Sequence, residues 1–276
     1  MLLRFTKMHG IGNDFVVIDA VTQAVRLASW QIRWLANRKT GIGCDQLLLV
    51  EPPLTPEADF RYRIFNGDGA EVEQCGNGAR CFALFVAYKK LSPKTSLLVE
   101  TKTRLIRCEI INHKQVRVDM GAPIFAPQLV PFIAPSELPI YQLKLKQQTV
   151  EIGVLSMGNP HAVLLVDDVD KANVAELGAE IEVHPDFPAK VNVGFLQIID
   201  EKCAKLRVFE RGTGETSACG SGACAAAVFA MHRGLLEQTA QIRLLGGSLT
   251  ISWAGVGSSV MMTGPAMRVF EGQIKL

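Results

Sequence analysis

Two stretches of the 276-residue chain decide its fold: "QCGNGARCFALF" at 74–85 and "ACGSGACAAAVF" at 218–229. Each sets a cysteine beside glycines and then runs into a segment that is apolar on every side. A helix without a polar face belongs inside a protein. Each stretch therefore predicts a central buried helix, with Cys75 or Cys219 at its N-terminus. Laid over one another without gaps, the two lie 144 positions apart (219 minus 75). At that offset Arg63-Ile64-Phe65 falls on Arg207-Val208-Phe209, Glu71 on Glu215, and Ala83 and Phe85 on Ala227 and Phe229. Gly12-Asn13 precedes the apolar "FVVID", as Gly158-Asn159 precedes "AVLLVD", and "VDMGAP" (118–123) answers "MMTGPA" (261–266). Matches in one order describe two homologous halves rather than a short-period solenoid.

Within each half, β-rich runs separated by turn residues surround the helix. They are "RFTKMHG", "FVVIDA", "QLLLVE", "FRYRIFN", "LLVETK", "IRCEII" and "QVRVDM", then "VEIGVLSM", "HAVLLVD", "VGFLQII", "AKLRVFE", "AQIRLL", "SLTISW" and "SVMMTG". Ser29 is placed to cap a further helix over "WQIRWLANR", with Ile32, Leu35 and Ala36 at helical spacing. Prolines at 123, 127, 131, 135 and 139 forbid a continuous helix and predict extended connecting chain. The last segment, "AMRVFEGQIKL", lies beyond the second half and is expected to return to the first. The fold class is α/β of the α+β type, with two pseudo-symmetric domains: residues 1–120 plus 265–276, and residues 121–264. Each is expected to wrap a curved, mainly antiparallel sheet around its central helix, with the active site in the cleft between them.

Composition narrows the function. A net charge of +2, with no basic block, argues against nucleic acid or an anionic membrane as partner. The start "MLLRFTKMHG" does not read as a signal peptide, and no apolar run reaches the roughly 20 residues that cross a bilayer. The expected compartment is the cytoplasm. Seven cysteines, an odd number spread over a chain with a substantial core, are not a disulfide framework. No C-x2-C pair is present, so no metal is expected. Cys44, Cys81, Cys108, Cys203 and Cys224 read as small buried hydrophobes.

Cys75 and Cys219 differ from these by their helix starts. The first N–H groups of a helix lack intrahelical acceptors and carry partial positive charge, which lowers the pKa of a thiol beside them. The same donors hold a carboxylate. One thiol on each side of a carbon is what stereochemical inversion needs: a thiolate removes a proton from one face and a thiol returns one to the other. Charge developing on the substrate is then stabilised by the helix N–H groups. Three alternatives stand beside this reading. The glycine-flanked starts could cradle phosphate, although neither matches a phosphate-binding fingerprint. The cysteines could be a redox pair, although C-x-x-C is absent. The motifs could also belong to a protein that binds without reacting.

From "KMHGIGNDFVVID" through "FNGDGAEVEQCGNGARC" to "FERGTGETSACGSGACAA", the chain resembles the diaminopimelate epimerases over essentially its whole length. That resemblance implies interconversion of LL- and meso-2,6-diaminoheptanedioate without pyridoxal phosphate or metal, hence no cofactor, supplying lysine and cell-wall precursors. It implies Cys75 and Cys219 as the acid/base pair, Cys219 accepting the proton in the LL-to-meso direction, supported by His161 and Glu210. It further implies substrate contacts from Asn13, Gln46, Asn66, Asn159, Asn192, Glu210 and Arg211, and from Gly76, Asn77, Gly220 and Ser221 at the two helix starts. Arg211 offers a bidentate fork to the remote carboxylate. Many relatives carry a tyrosine near the tail, associated with subunit pairing, where this chain has Phe270. A homodimer is still expected. Proline and hydroxyproline racemases share the two-cysteine plan but lack the "ERGTGET" stretch, so they stand as the rival enzymatic reading.

Overall fold

The computed structural model describes residues 2–73 and 75–276. The chain divides into two compact units, Met1–Asp119 with Thr263–Leu276, and Met120–Met262. The first contains β1 (Leu2–Gly10), β2 (Asn13–Asp19), α1 (Ser29–Ala36), β3 (Gln46–Glu51), β4 (Phe60–Asn66) and β5 (Glu71–Val72). After these come α2 (Gly76–Tyr88), β6 (Ser96–Glu100), β7 (Leu105–Ile110) and β8 (Gln115–Asp119). The second contains β9 (Tyr141–Lys144), β10 (Thr149–Ser156), β11 (Pro160–Leu165), α3 (Val174–Glu182), β12 (Asn192–Asp200) and β13 (Cys203–Glu210). It continues with β14 (Gly214–Thr216), α4 (Gly220–His232), β15 (Thr239–Leu244) and β16 (Gly247–Ser252). Strand β17 (Met261–Pro265) carries the chain back to the first unit, where β18 (Met267–Lys275) pairs antiparallel with β1, Leu2 opposite Lys275.

The two units repeat one pairing scheme. In the first, β1–β2 is antiparallel, β2–β3 parallel, β3–β4 and β4–β5 antiparallel, β4–β6 parallel and β6–β7 antiparallel. In the second, β10–β11, β11–β12, β12–β13, β13–β14, β13–β15 and β15–β16 follow in the same order with the same senses. The sheets are thus mainly antiparallel, with two parallel joins apiece. The β1–β2 and β10–β11 hairpins turn through Gly12 and Gly158, at φ of 94° and 93°. That region is costly for a residue with a Cβ, which accounts for glycine at both.

Strands β2, β3 and β11 are buried on both faces and read as continuous apolar runs, whereas β7, β8, β9 and β15 alternate buried and exposed residues, one face open to solvent. In the first unit Leu47 and Leu49 of β3 join Ile32 and Leu35 of α1 in one cluster. Helix α2 packs against β1, β2, β3, β4, β7 and β8, and residues 76–86 of it are all buried. Helix α4 packs against β10, β11, β12, β13, β15 and β16. Phe82, Phe85 and Val86 are essentially inaccessible, each contributing about 1.5–3 kcal/mol of burial.

One local expectation needs correction. Ala28, not Ser29, is the N-cap of α1; the Gln31 side chain accepts from the Ala28 N–H at 2.9 Å, so the acceptor comes from inside the helix. Helix α3 was not anticipated, although Asn173 caps it by accepting from the Glu176 N–H. It lies between β11 and β12 as α1 lies between β2 and β3. The proline-rich segment forms no strand between β8 and β9, only a short 3₁₀ turn at Pro127–Leu129. Among the described residues no helix is long and apolar enough to cross a membrane.

Candidate active site

Cys75 and Cys219 occupy the same backbone position, each the N-cap of its unit's central helix, at φ/ψ of −141°/120° and −119°/111°. A glycine follows at the first helical position and another at the third. Packing demands the latter. A Cβ on Gly78 would sit 2.5 Å from the Tyr62 hydroxyl; one on Gly222 would sit 3.2 Å from both Cys219 Sγ and Val208. The glycines so let the helix start approach β4 or β13 closely.

In the first unit, Cys75 Sγ lies 3.5 Å from Asn13 Oδ1, which also accepts from Asn77 Nδ2 at 3.3 Å. The Tyr62 hydroxyl donates to the Cys75 carbonyl at 3.2 Å, and burial holds it well above its ordinary pKa, as does the neighbouring Cys75. Gln46 Nε2 donates to Asn66 Oδ1 at 2.8 Å, the two being paired across β3 and β4. Behind Asn13 stands an ionic cluster absent from the sequence reading. Asp14 contacts Lys7 at 2.6 Å and Arg38 at 2.7 Å, and Arg38 also reaches Asp45 at 2.7 Å. Burial alone would raise the Asp14 pKa, but bonds from Arg38 and Lys7 hold it below the usual carboxylate range. Asp14 and Asp45 adjoin Asn13 and Gln46 in sequence, yet only the parallel β2–β3 pairing brings them together.

In the second unit, the Ser221 hydroxyl lies 3.6 Å from Cys219 Sγ and accepts from Asn159 Nδ2 at 3.3 Å. His161 Nε2 meets Asn159 Oδ1 at 2.9 Å. Asn192 donates to the Pro160 carbonyl at 2.9 Å and accepts from the Arg211 backbone N–H at 3.0 Å. The Arg211 guanidinium rests on the Ala189 carbonyl at 2.9 Å. Glu182, also outside the sequence reading, accepts from the Gly212 N–H at 2.9 Å and anchors the loop that bears Arg211. Glu210 accepts from the Thr216 hydroxyl.

Strand register shows which residues are twins. Phe15 lies opposite Gln46 where His161 lies opposite Asn192. Asn13 thereby corresponds to Asn159, and Gln46 to Asn192. One step past the Val193–Phe209 pair, Glu210 takes the place that Asn66 has opposite Gln46. The thiol motifs are shared, but the ionisable side chains His161 and Glu210 belong to the second unit and stand where the first has Phe15 and Asn66.

This setting corrects the expected thiol acidity. Burial pushes Cys219 well up from its ordinary value, and the charge and hydrogen bond of Glu210 push the same way. The Gly222 N–H and Ser221 hydroxyl pull down by less. Desolvation of a fully enclosed sulfur outweighs the helix start. The thiols of Cys44, Cys81 and Cys108 are raised by burial to about 11, 12 and 12, as suits core residues.

His161 is pushed down from 6.5 to about 3, first by burial and then by the positive charge of Arg211, so the buried ring is neutral at pH 7. The unfolded chain then binds a proton that the folded one refuses. Stability from this ring is intact above about pH 6.5 and falls as pH drops toward 3, at up to about 1.4 kcal/mol per pH unit. His161→Phe, the residue its twin carries, is expected to flatten the decline in melting temperature between pH 7 and pH 5. An unchanged slope in thermal denaturation contradicts this.

A sequence profile described as Diaminopimelate epimerase matches residues 5–126 and 153–269. The chain is 58% identical over 276 residues to the diaminopimelate epimerase of Stutzerimonas stutzeri, covering all of both chains. It is 57% identical, again with full coverage, to that of Pseudomonas aeruginosa. Among solved structures, a hydroxyproline epimerase from Agrobacterium vitis superposes with a TM-score of 0.69 at 17% identity, covering 99% of this chain and 92% of the other. A PhzF-family phenazine biosynthesis protein from Bacillus anthracis gives 0.68 at 18% identity over all of both chains. These two likenesses concern the fold. The profile and the full-length identities concern descent: the chain belongs to the diaminopimelate epimerase family.

Proposed function

We propose that this protein interconverts LL- and meso-diaminopimelate by a two-base mechanism, an isomerase of lysine biosynthesis and of peptidoglycan precursor supply. The observation that carries the reading is the pair of helix-capping cysteines at equivalent positions of a duplicated chain that belongs to this family. In the LL-to-meso direction Cys219 takes the α-proton as thiolate and Cys75 delivers one as thiol to the opposite face. The backbone donors of Gly76-Asn77 and Gly220-Ser221 hold the reacting carboxylate as charge builds on it. Glu210 and the neutral His161 support Cys219. Arg211, with Asn66, Asn159, Asn192, Asn13 and Gln46, holds the remote amino-acid end so that one stereocentre is presented. No cofactor or metal enters this scheme. The protein acts in the cytoplasm and pairs as a homodimer; the exposed apolar Met267, Val269 and Phe270 on β18 support the pairing.

The test is solvent exchange. In heavy water the protein is expected to convert LL-diaminopimelate to the meso form with deuterium at the inverted carbon, and to leave proline unlabelled. Exchange into proline would transfer the reading to the racemases that share the plan. Tight binding of diaminopimelate without exchange would make the protein a binding module.

A further inference from the structure

Asn13 and Asn159 stand at equivalent positions after the hairpin glycines, yet they present opposite ends to their thiol motifs. Asn13 Nδ2 donates to Asp45 Oδ2 at 3.0 Å. An ionised carboxylate can only accept, so the nitrogen end must face Asp45 and the oxygen end must face away. That oxygen is the atom 3.5 Å from Cys75 Sγ and 3.3 Å from Asn77 Nδ2. Asn159 is turned the other way, its oxygen to His161 and its nitrogen to the Ser221 hydroxyl beside Cys219. The agents of this difference are not shared. Where Asp45 precedes Gln46, the fully buried Val191 precedes Asn192; where His161 stands, the first unit has Phe15.

We propose that Asp45 is a positioning residue for Cys75: by fixing the amide of Asn13 it gives the thiol a permanent acceptor and so favours the protonated form on that side. The inference deepens the two-base reading and rests on it. A thiol donating S–H to an amide oxygen is stabilised, whereas a thiolate facing the same lone pairs is not. Asp45 is itself held by Arg38 at 2.7 Å and accepts from the Asp14 N–H at 3.0 Å, which locks its carboxylate in place. Ionisable groups near Cys75 include Tyr62 on β4, which donates to its carbonyl, and Cys81 on α2, which feels its charge. Asp14, Lys7 and Arg38 lie beyond Asn13.

The experiment follows alkylation of Cys75 by iodoacetamide against pH in the ligand-free protein, read by peptide mass spectrometry. Asp45→Ala is expected to move the Cys75 midpoint down by about half to one pH unit, the worth of one hydrogen bond. Asn13→Ala is expected to do the same, and Asp45→Ala to add nothing on top of it, closing a non-additive cycle. Additive shifts would mean that Asp45 acts by its charge alone and would overturn the proposal, as would an unmoved midpoint in Asp45→Ala. Asp45→Asn keeps an acceptor for Asn13 without the charge, and its midpoint is expected to stay with the native protein. A fall matching that of Asn13→Ala overturns the proposal, including where the alanine variant does not fold. Because no substrate is present, failure here is separable from failure of the epimerase reading, which solvent exchange tests.

Discussion

Alanine at either Cys75 or Cys219 is expected to abolish inversion of diaminopimelate, by at least about a thousandfold, the scale of losing an essential proton carrier. The reason is geometric. Inversion requires removal from one face and delivery to the other, and a single sulfur reaches only one. The two residues hold the same capping position on equivalent helices and neither side chain makes a capping hydrogen bond, so neither variant removes one. Folding should be nearly unaffected, and the loss should appear in kcat. Isotope exchange sharpens the prediction: each variant should exchange the α-hydrogen of at most one stereoisomer, and the two variants should differ in which. Full turnover by either, or exchange of both isomers by one variant, removes the two-base mechanism.

Arg211→Ala is expected to raise KM for diaminopimelate by about 10- to 150-fold, as loss of a charged hydrogen bond of about 1.5–3 kcal/mol requires. Arg211 is exposed and rests on the Ala189 carbonyl, so its guanidinium keeps donors for a carboxylate. Its loop is secured independently, through the Asn192 amide and the Glu182 carboxylate, so the truncation should leave the backbone in place. The effect should be confined to ligands bearing a remote carboxylate. Lysine, which retains the remote ammonium but has no second carboxylate, should bind equally weakly to both proteins. A KM unchanged in the variant, or an equal loss for lysine, would place the remote carboxylate elsewhere.

Much of this site was legible in the chain itself because it is local. A cysteine, two glycines and an all-apolar run specify an N-cap, a close approach and a buried helix within a dozen residues. Asn13 and Asn159 could be read as twins because each follows a glycine at the same hairpin turn. Helix α3 was also within reach: Asn173 as cap, Glu176 three residues on, then Leu177 and Ile181 at helical spacing. Other features were out of reach. Nothing local distinguishes Asp45 from a surface acid, and its contact with Asn13 arises from a parallel pairing that spans some thirty residues. The upward push on the Cys219 pKa escapes the sequence for the same reason: the helix start is visible there, but the enclosure of the sulfur and the approach of Glu210 are not.

By itself the amino-acid order determined the duplication, the two buried helices, the cysteines that begin them and the family, since all depend on residue type and spacing. Tertiary structure alone decided how the halves differ. It placed a carboxylate behind one asparagine and an uncharged imidazole against its twin, and it sealed one sulfur away from water. Hydrogen-bond polarity and desolvation depend on which distant segments meet, and packing rather than local preference brings them together.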